Sequence, residues 1–145
     1  MPKISWRRLF THTKHLKVMV DNCLLDPEIL DALGRINSIN VKTQIECGYP
    51  HYTKDPVLVA ATTTERRLLL TCNYNDINEN VYEPCSHGGI ILIKHARPDA
   101  QIVYDRMKAF AQSGNRSHAK NHVTHLRATD ATIHKEHEQK VEIKF

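Results

Sequence analysis

Short apolar blocks of strand length alternate along the chain with stretches whose apolar residues recur every three or four positions, the pattern of strands separated by helices. Lys17-Val18-Met19-Val20 is a compact run that stops at Asp21-Asn22 and predicts a first strand. Asp26-Pro27 follows: a capping acceptor before a residue whose fixed φ suits the first helical turn. Ile29, Leu30, Leu33 and Ile36 continue at helical spacing. Asn40-Val41-Lys42-Thr43-Gln44-Ile45 alternates as a half-exposed strand near a sheet edge does. Gly48-Tyr49-Pro50-His51-Tyr52 reads as a loop, and Asp55-Pro56 then repeats the capping signal and opens a helix to about Glu65.

Arg67 to Thr71 and Gly89 to Lys94 are continuously apolar blocks, as expected of strands covered on both faces. Between them Cys72-Asn73-Tyr74-Asn75-Asp76 is rich in turn formers. Pro98 to Gln112 has the spacing of a helix with Ile102, Val103, Met107 and Phe110 inward, ended by Ser113-Gly114. Ala131 to His134 and Lys140 to Lys144 alternate around a charged turn at 135–138, a β-hairpin pattern. This order predicts an α/β fold: an open, mostly parallel sheet in three layers (α/β/α), right-handed crossovers, helices on both faces and a C-terminal β-hairpin. The chain divides into an N-terminal extension (1–16), a main α/β domain (17–114) and a polar segment with the hairpin (115–145). Trp6, Leu9 and Phe10 in the extension suit a short docked helix.

A length of 145 residues fits one domain. The apolar runs are too short for a transmembrane helix, and Met1-Pro2-Lys3 leads to Trp6-Arg7-Arg8 without the apolar core of a secretory signal. Cys23, Cys47, Cys72 and Cys85 show no short spacing, so free thiols and a cytoplasmic setting are expected, with no membrane partner. A net charge of +4 is compatible with a polyanionic partner without requiring one.

Ligands of open parallel sheets collect at the carboxyl ends of the strands. Asp21 and Asn22 stand at one such end, and Asn73, Asn75 and Asp76 at another. Carboxylates from separate segments can converge there on Mg²⁺ or Mn²⁺, hard cations that take oxygen ligands and keep several waters. Each residue also has a simpler role: Asp21 as a turn residue, Asp55 as a helix cap, the Asn73 to Asp76 segment as a loop of Asx-turns. His118, His122 and His125 stand at i, i+4 and i+7, a spacing that on a helix would suit zinc, although no nearby Cys or acid completes a set. With five glycines and no GxGxxG, GKS/T or GxSxG, nucleotide-cofactor chemistry is disfavoured.

The ordered set Lys17 to Asn22, Asp55 to Ala61, Arg67 to Asp76 and Gly88 to Leu92 resembles the PIN-like nuclease domains, in particular the small bacterial branch related to VapC-type toxin ribonucleases. The likeness covers residues 17–112 and lies in the order and spacing of short pieces. It implies a metal-dependent endoribonuclease that is the toxin of a toxin–antitoxin pair, with RNA as substrate, an antitoxin protein as partner and a homodimer as assembly. Carried over by position, it makes Asp21 the first metal ligand and Asp55 the second. Thr71 matches the third motif, but Asn73 and Asn75 stand where that motif has aspartates, and Asp76 follows one residue later. Asn ligates through a carbonyl oxygen without adding charge. The resemblance therefore implies Asp21, Asp55, Asn73 and Asp76 as the catalytic set, with the three aspartates on Mg²⁺ or Mn²⁺.

Lys54, Arg66, Arg67 and Arg97 are candidate contacts to RNA phosphates, or ordinary solvated charges. The stretch from Lys94 to Arg127, with seven Lys/Arg against two Asp, also suits a phosphate-facing surface. Tyr49, Tyr52 and Tyr74 are candidates for base stacking. Two rival readings stay open: a PIN-fold module that binds RNA or protein after losing catalysis through Asn73 and Asn75, and a receiver-like signalling domain phosphorylated on Asp21 or Asp76. The second rival lacks the paired acids after the first strand that such a site needs.

Overall fold

Four of the five residues of β1 (Leu16–Val20) are buried, and only Lys17 reaches solvent. In the computed structural model, which describes residues 16–72, 87–113, 119–135 and 139–145, β1 pairs in parallel with β2 (Ile39–Thr43) on one side and β3 (Leu68–Thr71) on the other. The link from β1 to β2 is α1 (Pro27–Gly34). Asp26 caps it, its Oδ1 accepting the Glu28 N–H at 2.8 Å, and Ile29, Ala32 and Leu33 form its buried stripe. The alternation predicted for β2 is present, and β2 is the outermost strand on its side. The link from β2 to β3 is α2 (Asp55–Glu65). β3 and β4 (Ile90–Ile93) are buried at every position, as their unbroken apolar runs require. α3 (Ala100–Gln112) follows β4, capped by Asp99 Oδ1, which accepts the Ile102 N–H at 2.9 Å.

Among the described residues the sheet has seven strands in the order β2-β1-β3-β4-β5-β6-β7, with β5 (Val123–Leu126), β6 (Asp130–His134) and β7 (Lys140–Lys144) completing it. The first five strands of that order are parallel; β6 runs against them, and β7 pairs antiparallel with β6. Val18, Val20, Leu68, Leu70, Ile91 and Ile93 face Ile29 and Leu33 of α1 and Val103, Met107 and Phe110 of α3. Met19, Leu69, Ile90 and Val123 face Leu58, Val59 and Ala61 of α2. Helices therefore cover both faces, as expected, and each Leu or Ile so buried stabilises the fold by about 1.5–3 kcal/mol.

Two expectations are corrected. The steps from β2 to β3 and from β4 to β5 run the same way across the sheet, yet α2 and α3 lie on opposite faces. Those two crossovers have opposite hands, so the rule of uniform right-handedness fails here once. The polar segment 115–127 also contains β5, a strand inside the sheet with Val123, Thr124 and Leu126 buried. His125 stands in that strand, so the zinc spacing expected on a helix does not arise; His118 lies outside the described residues. The hairpin of β6 and β7 is present and extends the same sheet from β5.

Arg66 ends α2 in the left-handed region, at φ 55° and ψ 45°, where a β-carbon is costly and glycine is favoured. Arg66→Gly is expected to raise stability by about 0.5–1 kcal/mol, read as a higher midpoint in urea with an unchanged slope. No helix among the described residues is long and apolar enough to cross a membrane.

Candidate functional site

The chain leaves β1 over one face to reach β2 and returns over the other face to β3, on β1's opposite side. The connections diverge at the carboxyl ends of β1 and β3, which opens the crevice where sheets of this order bind ligands. Three adjacent strand ends each send one buried polar side chain to that place. Asp21 follows β1, Thr71 closes β3 and Gln44 follows β2.

Asp21 is 5% exposed. Its Oδ1 accepts the Asn22 N–H at 2.7 Å and starts a short 3₁₀ turn over Asn22–Leu24. Its Oδ2 accepts the Thr71 hydroxyl at 2.7 Å, with the Cys23 thiol at 3.5 Å from the same oxygen. Gln44 braces the arrangement from the side: its Oε1 accepts the Asn22 N–H at 2.7 Å, and its Nε2 donates to the Pro50 carbonyl at 2.8 Å. The Cys23 sulfur lies 3.4 Å from Thr71 Oγ1 and accepts the Cys72 N–H at 3.2 Å. Hydrogen bonding to Cys72, burial and the Asp21 carboxylate together push the Cys23 thiol far above the ordinary cysteine range. The neighbouring Cys23 side chain pulls the Cys72 thiol down against the effects of burial and Asp21.

All the donors to Asp21 among the described residues are neutral. The ion pairs there lie elsewhere, between Arg35 and Asp31 and between Arg127 and Asp130. A buried carboxylate held by neutral donors keeps its charge uncompensated, which favours a bound cation. Three donors take three of the roughly four acceptor positions of a carboxylate, two on Oδ2 and one on Oδ1, so Oδ1 keeps a lone-pair direction for one. The donor set therefore fits a hard divalent cation in kind. It is not complete in number: among the described residues no three His, Cys, Asp or Glu side chains gather to hold a metal. Asn73, Asn75 and Asp76, the remainder of the expected set, lie outside the described residues.

Asp55 departs from its capping role. The helix begins at Asp55 itself, and Lys54 occupies the cap position without a side-chain bond to the helix. Asp55 is then a half-buried acid in the first turn, where the helix dipole favours negative charge. The crossover from β2 to β3 starts α2 at the carboxyl edge of the sheet, so Asp55 and exposed Lys54 share that edge with Asp21. Exposed Arg97, in the loop after β4, is on it too.

Arg66 and Arg67 stand between α2 and β3, at the amino edge, and do not join the site. The Arg67 guanidinium donates to the Val18 and Asn40 carbonyls at 3.2 and 3.1 Å and to Asn40 Oδ1 at 2.7 Å, tying β1 to β2. Two more of the basic residues in 94–127 are likewise engaged. Arg106 donates to the Lys94 and Leu126 carbonyls at 3.0 and 3.3 Å, and Arg127 holds Asp130 and Thr132. Tyr52 is exposed beside His51 in the loop before α2, while Tyr49 packs against the α2 core. Tyr74 lies outside the described residues.

Gln44 and Cys23 are the site residues that sequence reasoning missed. Gln44 looks like one more polar position of an alternating edge strand, and nothing local shows that it turns inward. Compared with protein-family models, with curated proteins and with solved structures, the chain matches none.

Proposed function

We propose that this protein is a PIN-like, metal-dependent endoribonuclease, with the toxin role of a toxin–antitoxin pair as the setting that the resemblance implies. The observation that carries the reading is Asp21: a buried carboxylate at the switch point of a parallel sheet, fixed by Thr71 and Asn22 and compensated by no cationic side chain among the described residues. Asp21 and Asp55 would hold Mg²⁺ or Mn²⁺, with Asp76 and Asn73 completing the set. The bound cation would supply polarisation of the phosphodiester and activation of water. The chain's own part is orientation. Thr71 and Asn22 fix the Asp21 carboxylate, Gln44 holds the turn that carries it, and Lys54 and Arg97 offer positive charge along the same edge to an RNA backbone.

The second reading, an RNA- or protein-binding module without hydrolysis, draws on Asn73 and Asn75, which remove two charges from the motif that otherwise carries aspartates. Calorimetric titration with Mn²⁺, run on wild type beside Asp21→Asn and joined to a single-stranded RNA cleavage assay, separates the two. Metal binding and cleavage in wild type, both lost in the variant, support the nuclease. RNA binding with neither metal uptake nor cleavage in wild type overturns it in favour of the binding module.

A further inference from the structure

Two of the chain's four cysteines meet at the carboxyl ends of β1 and β3. The register of these strands pairs Val20 with Leu70 and, continued past their ends, sets Asn22 level with Cys72. The 3₁₀ turn capped by Asp21 folds the next residue, Cys23, back over the end of β3. Its sulfur reaches 3.2 Å from the Cys72 backbone nitrogen and 3.4 Å from Thr71 Oγ1. Cys23 is exposed and Cys72 partly so, and both are free thiols. The fold therefore holds the two cysteines side by side at the open carboxyl ends of the strands.

We infer that Cys23 and Cys72 are a redox modification site that forms a reversible disulfide with a hydroperoxide as oxidant. One sulfur attacks a peroxide oxygen and becomes a sulfenic acid, and with hydrogen peroxide the O–O bond breaks and water leaves. The second thiol attacks that sulfur, the S–S bond forms, and the hydroxyl leaves as a second water. Two electrons pass from the two thiols to one peroxide, so the step balances. The new bond draws the Cys23 sulfur off Asp21 Oδ2 and Thr71 Oγ1, its present neighbours, and staples β1 to β3 across the crevice. Formation of the disulfide is independent of whether the protein cleaves RNA.

The test is hydrogen peroxide treatment of the folded full chain, followed by non-reducing peptide mapping with trypsin and chymotrypsin. Cleavage after Tyr74 separates Cys72 from Cys85, which is thirteen residues further on. The folded protein is expected to lose two hydrogens and to yield a Cys23–Cys72 peptide that reductant dissolves. The link should persist in Cys47→Ser and Cys85→Ser and vanish in Cys23→Ser and Cys72→Ser. In denaturant the preference should reverse, because the Cys72–Cys85 loop is shorter than the 49-residue separation of Cys23 and Cys72 and closes about sevenfold more readily in an unfolded chain. A folded protein whose dominant link involves Cys85 or Cys47, or whose cysteines go to sulfinic acid without linking, overturns the inference.

Discussion

Asp21→Asn is expected to abolish RNA cleavage while making the metal-free protein more stable. The amide is nearly isosteric with the carboxylate, so its Oδ1 can keep the Asn22 N–H now held at 2.7 Å. Its Nδ2 can donate to Thr71 Oγ1, which has only to reverse its hydroxyl. What disappears is a buried charge with no cationic partner among the described residues, and its removal should stabilise by about 1–2 kcal/mol. That is a rise of a few degrees in Tm for a domain of this size. Cleavage should fall at least about a hundredfold, the upper end of what loss of a metal's outer-shell partner costs. Asp21→Ala gives the opposite stability result, because it strands the Thr71 hydroxyl and leaves a cavity. Differential scanning calorimetry of the metal-free proteins, with a single-turnover cleavage assay, reads both halves. Wild-type cleavage by Asp21→Asn would remove Asp21 from the chemistry. A lower Tm would mark the carboxylate as structural.

The largest loss of stability is expected from Gly89→Ala. Gly89 enters β4 at φ 125°, a conformation that costs a residue with a side chain about 1–3 kcal/mol. An added β-carbon would also sit 2.2 Å from Leu68 Cδ2 and 2.6 Å from the Ala119 carbonyl oxygen. The leucine tip can swing aside, but the carbonyl belongs to the backbone that leads into β5. Strain and overpacking together amount to about 3–5 kcal/mol, a large share of the roughly 5–15 kcal/mol that holds a domain together. Gly34, the last residue of α1, is the control. Nothing lies within 4 Å of its β-carbon position, so Gly34→Ala should gain about 0.5–1 kcal/mol. Chemical denaturation of the three proteins side by side checks the contrast, and equal midpoints for Gly89→Ala and wild type would refute it.

The helices and the buried strands were legible because each carries its own local signal. Asp26-Pro27 before Ile29 and Leu33 announces α1, and Leu68 to Leu70 and Ile90 to Ile93 announce strands that water never reaches. β5 was not legible. Its sequence, Val-Thr-His-Leu, has neither a continuous apolar run nor a clean alternation, and what buries Thr124 is its place between β4 and β6. The hand of the crossover through α3 was equally out of reach, because it depends on which face of the sheet α1 leaves free. At the site, Asp21 stood out because a carboxylate follows an apolar strand. Gln44 and Cys23 did not, since their roles come from a neighbouring strand and a backfolded turn. Arg67 misled for the same reason: a basic residue before a strand reads as solvated charge, whereas its guanidinium finds backbone carbonyls one and two strands away.

The late position of β5 in the chain has a consequence for synthesis. β4 is Ile-Ile-Leu-Ile, and its outer edge pairs with β5, some thirty residues later in the chain. While the ribosome still holds those residues, the nascent domain presents an unpaired, wholly apolar strand edge, the kind of surface on which chains add to one another. β5 closes this exposure, and the hairpin that follows extends the sheet beyond it. Among the described residues β7 ends the sheet with Lys140, Glu142 and Lys144 turned to solvent, so the growing edge passes from isoleucine to charge once these strands have been added. A chain stopped before Val123 would keep the sticky edge and lack the charged one, and its fate would be aggregation rather than a smaller working domain.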